Sequence, residues 1–335
     1  MIRTKPADTK LVICVRFRFS IWTAPPEMAA RIRARWPEMN VVHLPDYDNL
    51  DRELADADIF AGFTLRPEQF ALAKKLKWIH STAAAVTQLM YPELRQSNIE
   101  VTNASGIHSI PMAEHILGTL ISLARRFPDC FRYQQQSKWA PQEWWDAPVR
   151  PRELHGQTIL LIGFGAIGRA VARVVKPLGM RVWAVTRSGT GDAKLAEKIF
   201  PASKLDEALP EADFVVVAAP ETPETHQMFG AAQFARMKPS AYFMNVARGA
   251  LIDEAALIAA LERHKIAGAA LDVASEEPLL PESPLWKAAN LQITPHISAI
   301  SDRLWDRQTE LVMENLDRWF SGRELVNRVD LVRGY

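Results

Sequence analysis

The residues Gly163-Phe164-Gly165-Ala166-Ile167-Gly168 spell G-x-G-x-x-G between an apolar run, Thr158–Ile162, and a helix-like stretch from Arg169 to Leu178. In that setting each glycine has a physical task. Gly163 permits a tight turn, Gly165 lets backbone N–H groups approach a pyrophosphate, and Gly168 lets helix and strand pack closely. Ala166 and Ile167 lie between them, where the positive end of the helix would face the anion. A glycine turn without a ligand is the plainer alternative, but strand before and helix after favour a dinucleotide site.

The end of the next strand bears on which dinucleotide. An NAD site carries Asp or Glu about 20 residues on, bonding the ribose 2′-hydroxyl. Here that strand end reads Ala184-Val185-Thr186-Arg187-Ser188, and no carboxylate appears before Asp192. Arg187 can pair with a 2′-phosphate, and Thr186 and Ser188 can donate to it. NADP is therefore favoured over NAD.

Three polar groups follow later strand-like runs. Arg248 comes directly after Ala241–Val246, Glu277 lies just past Gly268–Val273, at whose end sits Asp272, and His296 follows Leu291–Thr294. In a parallel sheet all carboxyl ends share one edge, and ligands bind in the crevice along it. Hydride delivery to a ketone leaves an alkoxide that needs a proton, and His titrates near working pH. A carboxylate beside the His orients its ring, and an arginine can grip a substrate carboxylate with two hydrogen bonds. Singly, each residue could merely cap, pair or face solvent. Converging on one edge, Arg248, Glu277 and His296 point to acid–base chemistry beside a nicotinamide.

The elements that must position these groups alternate. Leu11–Val15, Val41–Leu44, Ile59–Phe63, Trp78–His80 and Ile99–Thr102 read as strands, with helix-like Pro26–Trp36 and Pro67–Leu76 among them. A second series begins at Thr158 and continues through Arg181–Val185, Asp213–Ala219, Ala241–Val246, Gly268–Val273 and Leu291–Thr294. Such alternation predicts parallel sheets covered by helices. Helices are predicted at Ile110–Arg126, apolar over much of its surface and stopped by Pro128, at Asp253–Arg263, and from Ser301 to Phe320 with Gly322 as the stop. Tyr133 to Pro151 carries Trp139, Trp144 and Trp145 with no clear period, and reads as a long surface connection whose tryptophans a partner subunit would cover.

Composition narrows the class. At roughly 150 residues per domain, 335 residues suggest about two domains. Forty basic residues oppose 39 acidic ones, so no basic excess suggests nucleic acid. No apolar run suits a membrane helix or a signal peptide, and two cysteines make no disulfide framework, so a reducing cytoplasm is the expected setting. Glu114-His115 lacks the second His of a zinc motif, and no metal site is expected.

Taken together, the motifs resemble those of the D-isomer-specific 2-hydroxyacid dehydrogenase family over nearly the whole chain. The matching pieces are Val101-Thr102-Asn103-Ala104-Ser105-Gly106, Ala113-Glu114-His115, the glycine loop and Thr222-Pro223-Glu224-Thr225. Asn245-Val246-Ala247-Arg248-Gly249, Leu271-Asp272-Val273, Glu277-Pro278, Thr294-Pro295-His296 and the tail Asn327-Arg328-Val329-Asp330 with Gly334-Tyr335 complete the set. The resemblance implies an α/β protein of two doubly wound parallel-sheet domains. A Rossmann-type coenzyme domain (105–298) would be inserted into a discontinuous, flavodoxin-like substrate domain (1–104 and 299–335).

It further implies an Arg–Glu–His catalytic set at Arg248, Glu277 and His296, and Asp272 bonded to the nicotinamide amide. Pro220, Thr225, Val246 and Ala247 would line the cofactor, and the long helix with its Trp-rich extension would build a homodimer. The family's carboxylate-binding loop commonly reads Ala-Gly-Val-Asp; here it is Ala84-Ala85-Val86-Thr87, whose amides would hold a substrate carboxylate if φ at Ala85 permits. Where NAD-using members carry Asp, this chain has Thr186. The expected activity is reduction of a small 2-keto acid, glyoxylate or hydroxypyruvate, to a D-2-hydroxy acid. Two other readings share the fold: a dinucleotide-sensing, corepressor-like dimer, and a phosphite-type dehydrogenase. Glu277 beside His296 speaks against formate oxidation, for which the family uses a different partner.

Overall fold

The computed structural model describes residues 4–147 and 149–332. Met1–Arg3, Pro148 and the Gly334-Tyr335 pair of the matched tail lie outside the described residues. Two compact units result, one taking the chain up to Ile107 and again from Ile300, the other His108–Ala299.

The first unit holds a parallel sheet of β1 (Lys10–Cys14), β2 (Asn40–Leu44), β3 (Ile59–Gly62), β4 (Trp78–Ser81) and β5 (Glu100–Thr102), ordered β2-β1-β3-β4-β5. Side chains alternate across it, as a period of two requires. Leu11 and Ile13 pack with Met28, Ile32, Val312 and Leu316 of the helices Pro26–Arg35 and Leu304–Ser321. Val12 and Cys14 face the opposite side with Leu50, Leu54 and Leu94. Both faces are therefore covered, the doubly wound arrangement that the strand–helix alternation predicts. The terminal helix stops at Gly322, whose φ of 67° lies in the left-handed region that favours glycine.

A buried polar row crosses this unit. The Trp78 indole N–H donates to Thr102 Oγ1 at 2.9 Å, His80 Nδ1 meets the same oxygen at 2.9 Å, and the Gln308 amide meets His80 Nε2 at 3.0 Å. Burial holds the His80 pKa down at about 3, against an ordinary 6.5. Between those values the unfolded chain binds a proton that the folded one refuses, so stability falls as pH drops below about 6.5. By pH 5 the loss from this group is about 2 kcal/mol. Urea unfolding at pH 7 and pH 5 should show it in the native chain and show it diminished in His80→Gln.

The second unit holds seven parallel strands: β6 (Thr158–Ile162), β7 (Arg181–Thr186), β8 (Lys198–Pro201), β9 (Phe214–Val217), β10 (Tyr242–Asn245), β11 (Gly268–Leu271) and β12 (Leu291–Ile293). Their order is β12-β11-β10-β9-β6-β7-β8, with β6 buried along its whole length. The chain leaves β6 toward β7 and β8, then returns to β9 on the other side. The reversal places a crevice between the β6 and β9 carboxyl ends, where such sheets bind ligands.

Two segments differ from expectation. Residues 133–151 are not simply irregular, because the helices Phe127–Gln135 and Pro141–Asp146 occupy much of the stretch. Pro128 does not stop the preceding helix (Ser109–Ala124). The break is at Arg126, with φ of 58°, and Pro128 sits in the first turn of the next helix, where a missing N–H costs nothing. Strand β8 was not anticipated: it is a half-exposed edge, and its four residues carry no alternation to betray it. Among the described residues no helix is long and apolar enough to cross a membrane.

Candidate active site

The glycine loop has the shape its sequence requires. Gly163 follows β6 with φ of 98°, and a Cβ there would lie 2.7 Å from the Ala218 carbonyl oxygen, so only glycine lets these two chain segments touch. A Cβ on Gly168 would strike the Gly163 carbonyl, which explains the close seating of helix Ala166–Val175 on β6. Gly165 is different, since a Cβ there would meet nothing within 4 Å. It caps the helix N-terminus and borders open space, the cradle that a pyrophosphate needs. These residues fit a dinucleotide.

Around this loop stand the other strand ends. After β7, the Thr186 hydroxyl donates to the Thr190 carbonyl at 3.0 Å, and Ser188 Oγ lies 2.6 Å from Thr190 Oγ1, which folds the exposed Arg187 segment into a tight bend. Arg187 is close enough to Glu224 to help hold that carboxyl below its ordinary range, after the larger effect of a hydrogen bond from Thr222. After β9, the Thr225 hydroxyl donates to the Pro220 carbonyl at 2.8 Å and accepts the Thr222 N–H at 2.8 Å. Thr225 thus ties the loop that presents Pro220.

Arg248, Glu277 and His296 all leave the carboxyl edge of this sheet. Glu277 Oε2 lies 2.6 Å from His296 Nδ1, and its other oxygen accepts the Ala274 N–H at 3.0 Å. One carboxylate therefore orients the imidazole and is itself oriented by backbone. Both side chains remain partly exposed, 46% for His296 and 38% for Glu277, so Nε2 is left to face a ligand. His296 has φ of 54°, a left-handed conformation costing about 1 kcal/mol outside glycine. It is kept there by its N–H donating to the Asp272 carbonyl at 2.8 Å. Arg248 is exposed, and its guanidinium donates to the Ala247 carbonyl at 2.7 Å.

The buried Asp272 carboxylate lies beneath the His296 loop. It accepts the Thr294 hydroxyl at 2.6 Å and the N–H groups of Ile297 and Ser298 at 3.0 and 2.9 Å. Since the Thr294 proton goes to Asp272, the His115 Nε2 at 3.4 Å is the donor to Thr294 Oγ1. Burial lowers the His115 pKa, with Asp272 opposing. The result is a braced turn beneath His296.

Three residues shape these loops in ways the sequence reading did not assign: Asn245 and Gly249 were read only as letters of the Arg248 motif, and Glu254 not at all. Asn245 is fully buried; its amide donates to the Arg248 carbonyl at 2.8 Å and its oxygen accepts the Ala247 N–H at 3.0 Å, so it shapes the turn that presents Arg248. A Cβ on Gly249 would collide with the Ala274–Ser275 backbone, which means the Arg248 and Glu277 loops press directly together. Glu254 accepts the Ser275 N–H at 2.6 Å and pins that contact from the helix Glu254–Glu262. An Asn at a strand end and a Glu at a helix start are common enough to give no warning.

In the first unit, Ala84 and Ala85 are exposed after β4 while the Val86 side chain is buried. Asn103 donates to the Ala84 carbonyl at 2.8 Å and Gln88 to the Ala85 carbonyl at 3.3 Å. The N–H groups of Ala85 and Val86 donate to no group among the described residues, which leaves them available to an anion.

A family model described as the NAD binding domain of D-isomer specific 2-hydroxyacid dehydrogenase matches residues 117–298. A glyoxylate reductase of Korarchaeum cryptofilum is 35% identical over 266 residues, covering 78% of this chain and 79% of that protein. The chain belongs to the D-isomer specific 2-hydroxyacid dehydrogenase family. Among solved structures, a member from Xanthobacter autotrophicus Py2 in complex with NADPH and MES superposes with a TM-score of 0.80 at 29% identity, covering 98% of this chain and 100% of that one. An NADPH-dependent glyoxylate/hydroxypyruvate reductase from Sinorhizobium meliloti, in complex with NADP and sulfate, does so at 0.78 and 26%, with the same coverage. As a 2-hydroxyacid dehydrogenase, the chain is an oxidoreductase that transfers a hydride between a nicotinamide dinucleotide and a 2-keto or 2-hydroxy acid.

Proposed function

We propose that this dehydrogenase is an NADPH-preferring reductase of small 2-keto acids, of the glyoxylate and hydroxypyruvate type, giving D-2-hydroxy acids. The observation that carries the reading is the Glu277–His296 pair at 2.6 Å on the same sheet edge as Arg248 and the glycine loop. The relatives named glyoxylate reductase and glyoxylate/hydroxypyruvate reductase support the substrate class. When bound, the dihydronicotinamide supplies the hydride. His296 Nε2 gives the proton that the nascent alkoxide takes up, and Glu277 holds the ring for that transfer. Arg248 grips the substrate carboxylate and polarises the neighbouring carbonyl. In the first unit, the amides of Ala85 and Val86, which donate to no group among the described residues, suit a substrate carboxylate. The glycine loop holds the pyrophosphate, with Pro220, Thr225, Val246, Ala247 and Asp272 around the rest of the dinucleotide. In this reading 105–298 is the coenzyme domain, with the remainder as substrate domain.

Preference for NADPH rests on Arg187, with Thr186 and Ser188, where an NAD site would carry a carboxylate. Arg187→Ala should raise the KM for NADPH about tenfold or more and change that for NADH little, since only the former has a 2′-phosphate to lose. Steady-state kinetics with each cofactor against glyoxylate and hydroxypyruvate tests both halves of the proposal.

The reading includes a homodimer. The helices Phe127–Gln135 and Pro141–Asp146 bury none of their residues, and Trp139 is 95% exposed. Trp145 and Phe131 stand out beside them, an apolar surface that a second copy would cover. Sedimentation should give a dimer, and Trp139→Ser with Trp145→Ser should weaken it toward monomer. A cytoplasmic setting goes with the free thiols, Cys14 buried and Cys130 exposed.

A further inference from the structure

The carboxyl edge of the first unit's sheet carries an exposed aromatic cluster. Phe17 lies three residues past β1 and Phe63 directly past β3, and these strands are neighbours with Cys14 opposite Gly62. Phe17, Phe19 and Phe63 are 43%, 51% and 40% exposed. Their rings touch, Phe17 against Phe19 and edge-on against Phe63, both with centroids 6.3 Å apart.

The segment that carries these rings is pinned. The Tyr47 hydroxyl donates to the Arg16 carbonyl at 3.0 Å and accepts its N–H at 3.4 Å. Thr23 Oγ1 accepts the Phe17 N–H at 3.2 Å and lies 3.3 and 3.4 Å from the Phe17 and Phe19 carbonyls. The Arg18 guanidinium covers the Phe19 ring at 4.6 Å. Rigid aromatic surface held open to solvent is what a small-molecule subsite requires, because no ordering cost remains at binding.

The cluster is also joined to the carboxylate loop. The Gln88 amide donates to the Phe63 carbonyl at 2.9 Å and to the Ala85 carbonyl at 3.3 Å, bridging the two segments. We infer that Phe17, Phe19 and Phe63 form the subsite for the substituent on the keto carbon of the 2-keto acid, and that it favours apolar or aryl groups there over the bare hydrogen of glyoxylate. The inference rests on the 2-keto acid reading above and extends its substrate class. A substrate held by its carboxylate at Ala85 and Val86 would have these rings on the adjoining surface of the same sheet edge.

The test is kcat/KM with NADPH for phenylpyruvate, 2-oxoglutarate and glyoxylate, on the native chain and on Phe17→Ala, Phe63→Ala and Phe63→Leu. The native chain should prefer phenylpyruvate to glyoxylate by about tenfold or more. Each alanine variant should lower that ratio about tenfold, chiefly through KM for phenylpyruvate, and Phe63→Leu should restore part of it. Because the rings are exposed, the variants should keep the native melting temperature. Glyoxylate turnover with a ratio that neither alanine variant moves would overturn the subsite and leave the reductase reading standing, and so would a preference for 2-oxoglutarate. No turnover of any 2-keto acid would overturn both.

Discussion

His296→Gln should lower kcat by roughly two to four orders of magnitude while the dinucleotide still binds with near-native affinity. The expected loss is large because, in the proposed reaction, proton delivery to the alkoxide depends on one atom, Nε2, whose partner nitrogen is already bound to Glu277 at 2.6 Å. Glutamine has the reach of the ring without an acid of suitable pKa. Cofactor affinity is spared because the glycine loop and the bend after β7 do not depend on the imidazole. The turn around residue 296 also survives, since Asp272 holds it through the hydroxyl of Thr294 and the N–H groups of Ile297 and Ser298. Stopped-flow binding and steady-state turnover on one preparation separate these effects. Native kcat in the variant would remove His296 from the chemistry.

Arg248→Ala should lower kcat/KM by roughly three orders of magnitude, with both kcat and KM affected. A guanidinium that binds a carboxylate through two charged hydrogen bonds contributes about 1.5–3 kcal/mol for each. Part of that strengthens as the carbonyl gains negative charge, and so enters kcat. Arg248→Lys should recover only a fraction, because an ammonium lacks the planar fork. The present contact of Arg248 with the Ala247 carbonyl is one that a substrate carboxylate would readily outcompete. An alanine variant with native kcat/KM on its best substrate would contradict the assignment.

The strands of the two sheets were readable because strands buried on both faces appear as continuous apolar runs, as Thr158–Ile162 does. Strand-end logic then brought Arg248, Glu277 and His296 to one edge despite their distance in sequence. What stayed hidden has physical reasons. Strand β8 is a short edge with little to bury, and the helices Phe127–Gln135 and Pro141–Asp146 bury no side chain, so neither left a periodic signature. Asn245 and Glu254 act through backbone contacts that only the folded loops create. The role of Asp272 was legible only in part, for its position at a strand end is evident while its three donors come from residues 22 to 26 positions later.

The most direct test of the account is the rate at which NADPH and NADH are consumed with glyoxylate and hydroxypyruvate, with the configuration of the product determined. The account predicts turnover with both keto acids, faster with NADPH than with NADH, and a D-2-hydroxy acid as product. Binding of either dinucleotide with no turnover of either keto acid would contradict it.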